Sequence, residues 1–314
     1  MMASHKTTQY WLVALKVLVL VLAFGYLFYK IRSDGSSLAP IISQSFKDVS
    51  ILLPVSFLGL AICNWLLEIL RWKVSVNTTY TLSFLGATKQ SLGSLTASLI
   101  TPNRIGEYGA KALYYLPEKR KKIVFLNFVH GSSQLVTTLL FGIPAVVYFI
   151  FTYGISIAVN RGLIFVFILL VLVILGYVFR KKQLGIKGLS LQNMWTHFKR
   201  LPKTSLFQIL VLSVMRYLIF STLFYLLLIF FGATSSYVAA APVIFSMYLL
   251  VSIIPSFFVL DVVIRGGVSL WLFSFLDIPD MTVLATVFIM WILNVVLPAI
   301  LGGYYVFTFK PQQQ

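Results

Sequence analysis

Charged residues interrupt an apolar stretch of the chain around Pro102, where the sequence also favours a turn. Pro102 removes a backbone hydrogen-bond donor and ends any regular apolar helix that precedes it. Arg104, Glu107 and Lys111 follow at positions i, i+3 and i+7, so they share one face of the helix that resumes there. A broken, charged backbone at membrane depth must be buried in protein or face water. The spacing therefore predicts a polar site at the tip of a re-entrant hairpin, and an ion-pair ladder that only caps the hairpin is the alternative.

A second charged group lies near the end of an earlier apolar segment. Asn64, Glu68 and Arg71 are spaced i, i+4 and i+7, which places them on one helical face. For Arg71 an anchoring role at the membrane boundary is an equal alternative. Glu68 is different, because a carboxylate in the last turn of an apolar span needs a partner or water. We expect this face to look into the helix bundle.

The second half of the chain carries three more candidate residues. Arg216 lies near the middle of an apolar segment with no acidic neighbour in sequence, so we expect its partner on another helix. Asp261 and Arg265 are four residues apart and would pair if that segment is helical. We therefore include all three with Glu68, Arg71, Arg104, Glu107 and Lys111 as candidate substrate-binding residues.

Polar residues also share a face of the long apolar segment after residue 122. Asn127, His130 and Gln134 follow one another at i, i+3 and i+7, and hydrogen bonding between helices is the default interpretation of such groups in a membrane. Proton transfer by His130 is a less favoured alternative.

The sequence predicts neither a metal site nor a cofactor. The three histidines, His5, His130 and His197, are far apart, and the lone Cys63 offers no metal-ligand spacing and excludes an intramolecular disulfide. There is no glycine-rich phosphate loop followed by Lys and Ser or Thr, so ATP is not expected as an energy source. We therefore expect no catalytic residues.

The composition indicates which elements must position these residues. Of the 314 residues, 59% are hydrophobic and only 11% are charged, as in an integral membrane protein. We predict an all-α polytopic membrane protein that forms a single domain, 1–314, without a soluble domain. Two oppositely oriented re-entrant hairpins, 82–115 and 239–275, are predicted because their arms are too short to cross a bilayer. Six full transmembrane helices are predicted at 10–29, 51–70, 123–153, 163–179, 205–231 and 281–307.

Basic residues greatly outnumber acidic ones, with 25 Lys and Arg against 8 Asp and Glu. They cluster in the gaps between apolar segments, which is typical of the positive-inside rule rather than of nucleic-acid binding. If both termini are cytoplasmic, the basic gaps 118–122 and 180–203 both fall on the cytoplasmic side. The charge asymmetry therefore predicts a multi-pass protein of the cytoplasmic membrane with both termini inside.

The two broken elements resemble each other and suggest an inverted repeat. Ser98-Leu-Ile-Thr-Pro102 is similar to Ser252-Ile-Ile-Pro255, and each is followed by Arg and Gly before a second arm. Paired discontinuous helices in inverted repeats are typical of transporters, with the substrate where they meet. We expect half-repeats at 51–153 and 205–308.

Segments 70–73 (Leu-Arg-Trp-Lys) and 101–107 (Thr-Pro-Asn-Arg-Ile-Gly-Glu) resemble the membrane domain of lysylphosphatidylglycerol synthases and their stand-alone, flippase-like relatives. In that family an Arg-Trp pair ends an early span, and a Pro-Gly-Arg-hydrophobic-Gly-Glu motif forms a re-entrant loop. The resemblance extends to segments 255–267 and 298–303 and so covers nearly the whole chain. It implies a charged, lipid-moving groove.

The chain departs from the family pattern at two places. Asn103 stands where Gly is usual, a mild change because both residues suit turns. The second motif usually reads Gly-hydrophobic-Arg-Glu, whereas Gly266 follows Arg265 here, and we expect Asp261 to supply the missing carboxylate. The 314 residues hold no counterpart of the soluble aminoacyl-transferring domain, so we expect translocation and not an enzymatic activity.

The sequence favours a lipid translocase whose partner is a membrane lipid with a polar head, a phospholipid or a polyprenyl phosphate. A secondary transporter of a small solute would use similar hairpins. A noncatalytic partner of an envelope glycosyltransferase or lipid-modifying enzyme would instead keep its charges as internal ion pairs. A second copy of the chain or such an enzyme are the expected protein partners, and nucleic acid is not expected.

Overall fold

The computed structural model describes residues 38–47, 49–99, 101, 105–155, 190–254 and 258–309. Within these ranges the regular elements are all helical. The helices, numbered α1 to α11 in chain order, are Leu38–Ser45, Leu52–Asn77, Phe84–Ser98, Gly106–Leu113, Pro117–Thr152, Leu191–Lys199, Lys203–Phe230, Tyr237–Ile253, Phe258–Phe273, Asp280–Trp291 and Leu297–Phe307. A 3-10 turn, Ser274–Leu276, precedes α10, and a π-helical turn, Ile292–Val296, joins α10 to α11.

Among the described residues, four helical stretches are long and apolar enough to cross a membrane: α2, α5, α7 and the continuous run from α10 to α11. They coincide with four of the six predicted spans. The other two, 10–29 and 163–179, lie outside the described residues. The interpretation as a membrane protein is thus supported by the helices themselves.

Two helix boundaries differ from the sequence prediction. Residues 118–122 were expected to form a basic loop, but they form the first turns of α5. Pro117 opens that helix at a position where a missing N–H costs nothing, and its fixed φ suits the first turn. Helix α2 continues to Asn77 because Trp72 and Val76 are fully buried and the packing extends past the apolar run.

Two pairs of shorter helices lie between the long ones. Helices α3 and α4 have 15 and 8 residues, and α8 and α9 have 17 and 16. The hydroxyl groups of Ser83 and Ser236 accept backbone N–H groups at the starts of α3 and α8, which fixes where both helices begin. The connections at 102–104 and 255–257, where the hairpin tips are predicted, lie outside the described residues.

The first helix of each short pair packs on a long helix from the other half of the chain. Helix α3 packs on α11, where the Thr96 hydroxyl donates a 2.8 Å hydrogen bond to the Ala299 carbonyl. Gly302 permits this close approach, since any Cβ there would strike the Leu92 carbonyl. Helix α8 packs on α5, with Gly142 against Leu249. Helices α2 and α7 pack along each other, and α5 contacts both.

Candidate functional site

Glu68 is the centre of a buried polar cluster formed where α2, α5 and α7 meet. Its carboxylate lies 2.6 Å from Arg71 Nη2, 2.8 Å from His130 Nε2 and 3.3 Å from Arg216 Nε. Arg71 and His130 are almost completely buried. Burial makes each charge costly unless it is paired, so one carboxylate stabilises groups from three helices.

Gln134 connects the two arginines. Its side-chain oxygen accepts hydrogen bonds from Arg71 Nη1 at 2.7 Å and from Arg216 Nη1 at 3.0 Å. Arg71 Nη1 also donates to the Ser213 hydroxyl at 3.0 Å. Two guanidinium groups are therefore held side by side by a shared carboxylate and a shared amide oxygen. Such an arrangement keeps positive charge in place inside an apolar bundle.

The ion pair of Glu107 and Lys111 lies on α4. Their charged atoms are 2.6 Å apart, and the Lys111 ammonium also donates to Asn127 Oδ1 at 2.9 Å. The same ammonium lies 4.1 Å from the centre of the Trp72 ring, within the range of a cation–π contact. Trp72 is itself fixed by a hydrogen bond to Gln90. Lys111 is thus enclosed by Glu107, Asn127 and Trp72, and its side chain is 0% exposed.

The Glu107 and Glu68 clusters adjoin each other. Ligand-type atoms of Glu68, Glu107 and His130 all lie within 4.8 Å of one another, a grouping that the scattered histidines in the sequence did not predict. The carboxylates already pair with Arg71, Arg216 and Lys111, so a metal ion would have to displace those pairs. The donor set therefore suits internal charge balance better than cation binding.

Asp261 and Arg265 form the third ion pair, on α9. Arg265 Nε lies 2.8 Å from Asp261 Oδ2, as their spacing predicted. Both line a cavity of about 110 Å³, which is well above the roughly 10–15 Å³ needed for one water. Arg216 lines the same cavity, so it joins the Glu68 cluster to this space.

The Tyr248 hydroxyl is a polar group in the cavity wall that lacks a hydrogen bond. Tyr248 is 7% exposed, and its hydroxyl has no hydrogen-bond partner among the described residues. A buried hydroxyl without a partner is unfavourable, and a water or ligand in the cavity would satisfy it. The cavity therefore presents two guanidinium side chains, one carboxylate and one available hydroxyl.

The π-helical turn forms part of the same wall. Asn294 in that turn accepts a 2.8 Å hydrogen bond from the Asn64 side chain, and its carbonyl accepts one from Trp65 Nε1 at 3.1 Å. A π turn releases a backbone carbonyl from the regular helical pattern, and such turns are frequent at functional sites. Here a carbonyl of the π-helical turn accepts the Trp65 N–H, and Trp65 lines the cavity.

Seven of the eight predicted site residues lie in this connected region. Arg104 falls outside the described residues. The seven comprise Glu68, Glu107 and Asp261 against Arg71, Lys111, Arg216 and Arg265, an excess of one positive charge.

Arg216 has its partners on α2 and α5, as its isolation in the sequence predicted. Sequence reasoning did not assign Gln134, Ser213, Tyr248 or Trp65 to the site, because polar and aromatic residues without a charge carry little signal.

Comparison with known proteins gives no relative: no family model, no curated protein and no solved structure matches this chain.

Proposed function

We propose that this protein is a lipid translocase that moves a phospholipid or a polyprenyl-phosphate-type lipid across the cytoplasmic membrane. The observation that carries the proposal is the charged cavity between apolar spans, with Arg216 and Arg265 in its wall. Ionisable residues inside a membrane bundle are functional-site candidates by default, and a buried salt bridge is weak evidence for a stabilising role. A net positive lining with guanidinium donors fits a phosphate.

The arrangement of helices supports an inverted repeat with two re-entrant hairpins. Each half runs in the order long helix, two short helices, long helix. The packing is reciprocal: the first short helix of each half lies on the last long helix of the other, and the two opening helices α2 and α7 pack together. This exchange is what a two-fold axis between the halves would produce.

The ion pairs on the second arms strengthen this alignment. Glu107 and Lys111 precede Asp261 and Arg265 by 154 positions each, and both pairs are acid then base at i and i+4. Asp261 therefore corresponds to Glu107 in the proposed repeat. This supports the expectation that Asp261 supplies the carboxylate missing from the second motif.

We assign different roles to the charged residues of the site. Arg216, Arg265 and the Tyr248 hydroxyl bind the phosphate of the headgroup. Glu68 and Asp261 hold those arginines in place between transport events, and their carboxylates can take up a cationic part of the headgroup. Arg71, Glu107 and Lys111 fix the neighbouring hairpin arm, and Arg104 adds a cation near its tip.

The remaining features of the proposal follow from the sequence. Both termini lie in the cytoplasm, and transport runs downhill or is coupled to an ion gradient, since the sequence has no phosphate-binding loop for ATP. The resemblance to the flippase-like membrane domain of lysylphosphatidylglycerol synthases favours a lipid with a polar head as the substrate. Catalysis of a chemical step is not part of the proposal.

Reconstituted vesicles test this function directly. The full chain is inserted into vesicles that contain fluorescent phosphatidylglycerol, and a membrane-impermeant reductant reports how fast the label changes leaflet. Arg216→Gln should slow exchange by about tenfold or more, since a hydrogen bond to a charged group contributes about 1.5–3 kcal/mol. Lys121→Gln removes an exposed cation of α5 and should leave the rate unchanged. Equal rates for wild type, Arg216→Gln and empty vesicles would sink the proposal.

A noncatalytic role as a membrane partner is the second candidate, and one observation favours it. Each charged residue of the described site has an ionic partner within the chain, as internal structural pairs would. In that case charge-neutral variants that keep the fold would remain active in cells, and a fixed envelope enzyme would co-purify. A small-solute transporter would instead show no lipid in the cavity.

A further inference from the structure

An apolar groove shares the lining residue Trp65 with the charged cavity. It measures about 370 Å³ and is formed by α2, α3, the π-helical turn and α11. The residues along it include Leu58, Ile62, Leu66, Leu293, Leu297 and Leu301. All residues of its lining are apolar. Ile62 and Leu301 are more than half exposed, so the groove opens at the outer surface of the described helices.

Trp65 is the boundary between the groove and the cavity. Its ring lines both spaces, and its Nε1–H donates to the Asn294 carbonyl. Neighbouring residues of the π-helical turn face different spaces: Leu293 lines the groove and Asn294 lines the cavity. A polar and an apolar compartment therefore meet along one side chain.

We infer that the groove holds a hydrocarbon chain of the same lipid whose phosphate occupies the cavity, with Trp65 at the junction of head and tail. This inference rests on the proposed function and adds where the two parts of the substrate bind. The shared wall at Trp65 favours this occupant, because an amphiphile with an anionic head matches both adjoining compartments at once. A soluble phosphate compound has no apolar chain to bury, so the apolar groove would add nothing to its binding free energy.

The junction also explains the choice of residue at position 65. An indole has a large apolar ring and one polar N–H, and such side chains favour boundaries between apolar and polar surroundings. The Trp65 N–H is used by the π-helical turn, and the ring remains for the lipid. The chain would thus leave the cavity sideways, past Trp65, toward the membrane.

Photolabelling locates the hydrocarbon chain without altering the protein. The full chain is reconstituted with phosphatidylglycerol that carries a diazirine in one acyl chain, and labelled peptides are mapped by mass spectrometry. Labelling should concentrate at Ile62 and Leu301 relative to Leu140, a residue of α5 whose exposure of 59% resembles the 62% of Leu301. Arg216→Gln should lower the groove signal by about tenfold, the factor for one charge-assisted hydrogen bond, while Lys121→Gln should not.

Three comparisons would overturn the inference. Equal labelling at Leu140 and Leu301 would show ordinary contact with bulk lipid. Equal labelling of the groove by an uncharged diacylglycerol with the same diazirine chain would show that binding in the groove does not require a phosphate in the charged cavity. Soluble glycerol phosphate, which has the headgroup but no acyl chain, can compete with the labelled lipid for the charged cavity. If a low concentration of it abolished labelling of the groove, the acyl chain would contribute nothing to binding, which would also contradict the inference.

The same vesicles separate this inference from the proposed function. Translocation without selective labelling of the groove would overturn the inference and leave the function standing. Selective labelling without translocation would support a two-compartment lipid site and remove the transport proposal. The two ideas can therefore fail independently.

Discussion

The ion pairs of α4 and α9 have the same local sequence pattern and different surroundings. Glu107–Lys111 and Asp261–Arg265 are both acid and base at i and i+4, with contacts of 2.6 and 2.8 Å. Lys111 is 0% exposed, whereas Arg265 is 29% exposed and borders the cavity. The difference indicates that the pair on α4 is enclosed by packing, whereas the pair on α9 keeps its cation accessible.

Neutral substitutions of the two cations should separate these roles most strongly. Lys111→Met leaves Glu107 and the Asn127 oxygen without their Lys111 partner. We therefore expect the free energy of unfolding to fall by about 3–5 kcal/mol. Arg265→Met removes the cation of a pair that borders the cavity, so we expect a smaller loss, of about 1–3 kcal/mol. Thermal or denaturant unfolding in mild detergent measures both changes.

Two controls support this comparison. Lys121→Met removes an exposed cation and should leave stability within the error of the measurement. The double variant Glu107→Gln/Lys111→Met removes both charges and should recover part of the loss, because no unpaired carboxylate remains. Equal losses for Lys111→Met and Arg265→Met would refute the contrast between a locked and an accessible pair.

Replacing Lys111 by arginine and Arg265 by lysine should change stability less than removing the charges does. Lys111→Arg must fit a larger planar group between Trp72 and Asn127, and overpacking of this kind costs about 1–3 kcal/mol. Arg265→Lys keeps the charge in an open cavity and should hardly change stability. Arg265→Lys should nevertheless slow lipid exchange by severalfold, because an ammonium cannot form the bidentate hydrogen bonds that a guanidinium makes to phosphate. Unfolding and vesicle exchange together test the pair of variants.

Two tyrosines extend the comparison to neutral groups. The Tyr115 hydroxyl donates to Gln90, whereas the Tyr248 hydroxyl has no partner among the described residues. Tyr115→Phe should therefore lower stability by about 0.5–1.5 kcal/mol, and Tyr248→Phe should leave it unchanged or slightly higher. Only Tyr248→Phe should slow lipid exchange. A stability loss for Tyr248→Phe would mean that its hydroxyl has a structural role instead.

Local sequence spacing anticipated the helical contacts but not their environment. The pairing of Asp261 with Arg265 and the shared face of Asn127, His130 and Gln134 follow from helical geometry alone. Whether such a pair is enclosed depends on what packs against it. Lys111 is buried because Trp72, far away in sequence, covers it.

Contacts between distant helices limited the prediction of the site. The meeting of Glu68 and Arg216 requires α2 and α7 to pack together, and nothing in either segment specifies the other. Spans were predicted because apolar length is a one-dimensional property. The π-helical turn was not, since a single extra residue in a helical turn leaves no pattern in an apolar sequence.

A small effect is also expected at Trp65, where the open half of the site meets the apolar groove. Trp65→Phe keeps an aromatic ring at the boundary and removes only the hydrogen bond to the Asn294 carbonyl. We expect a stability loss of about 0.5–1.5 kcal/mol, together with faster amide hydrogen exchange in the π-helical turn. Trp195→Phe, at an exposed position of α6, is the matched control. Unchanged exchange in the turn would mean that Trp65 does not fix it, and the boundary would then depend on ring packing alone.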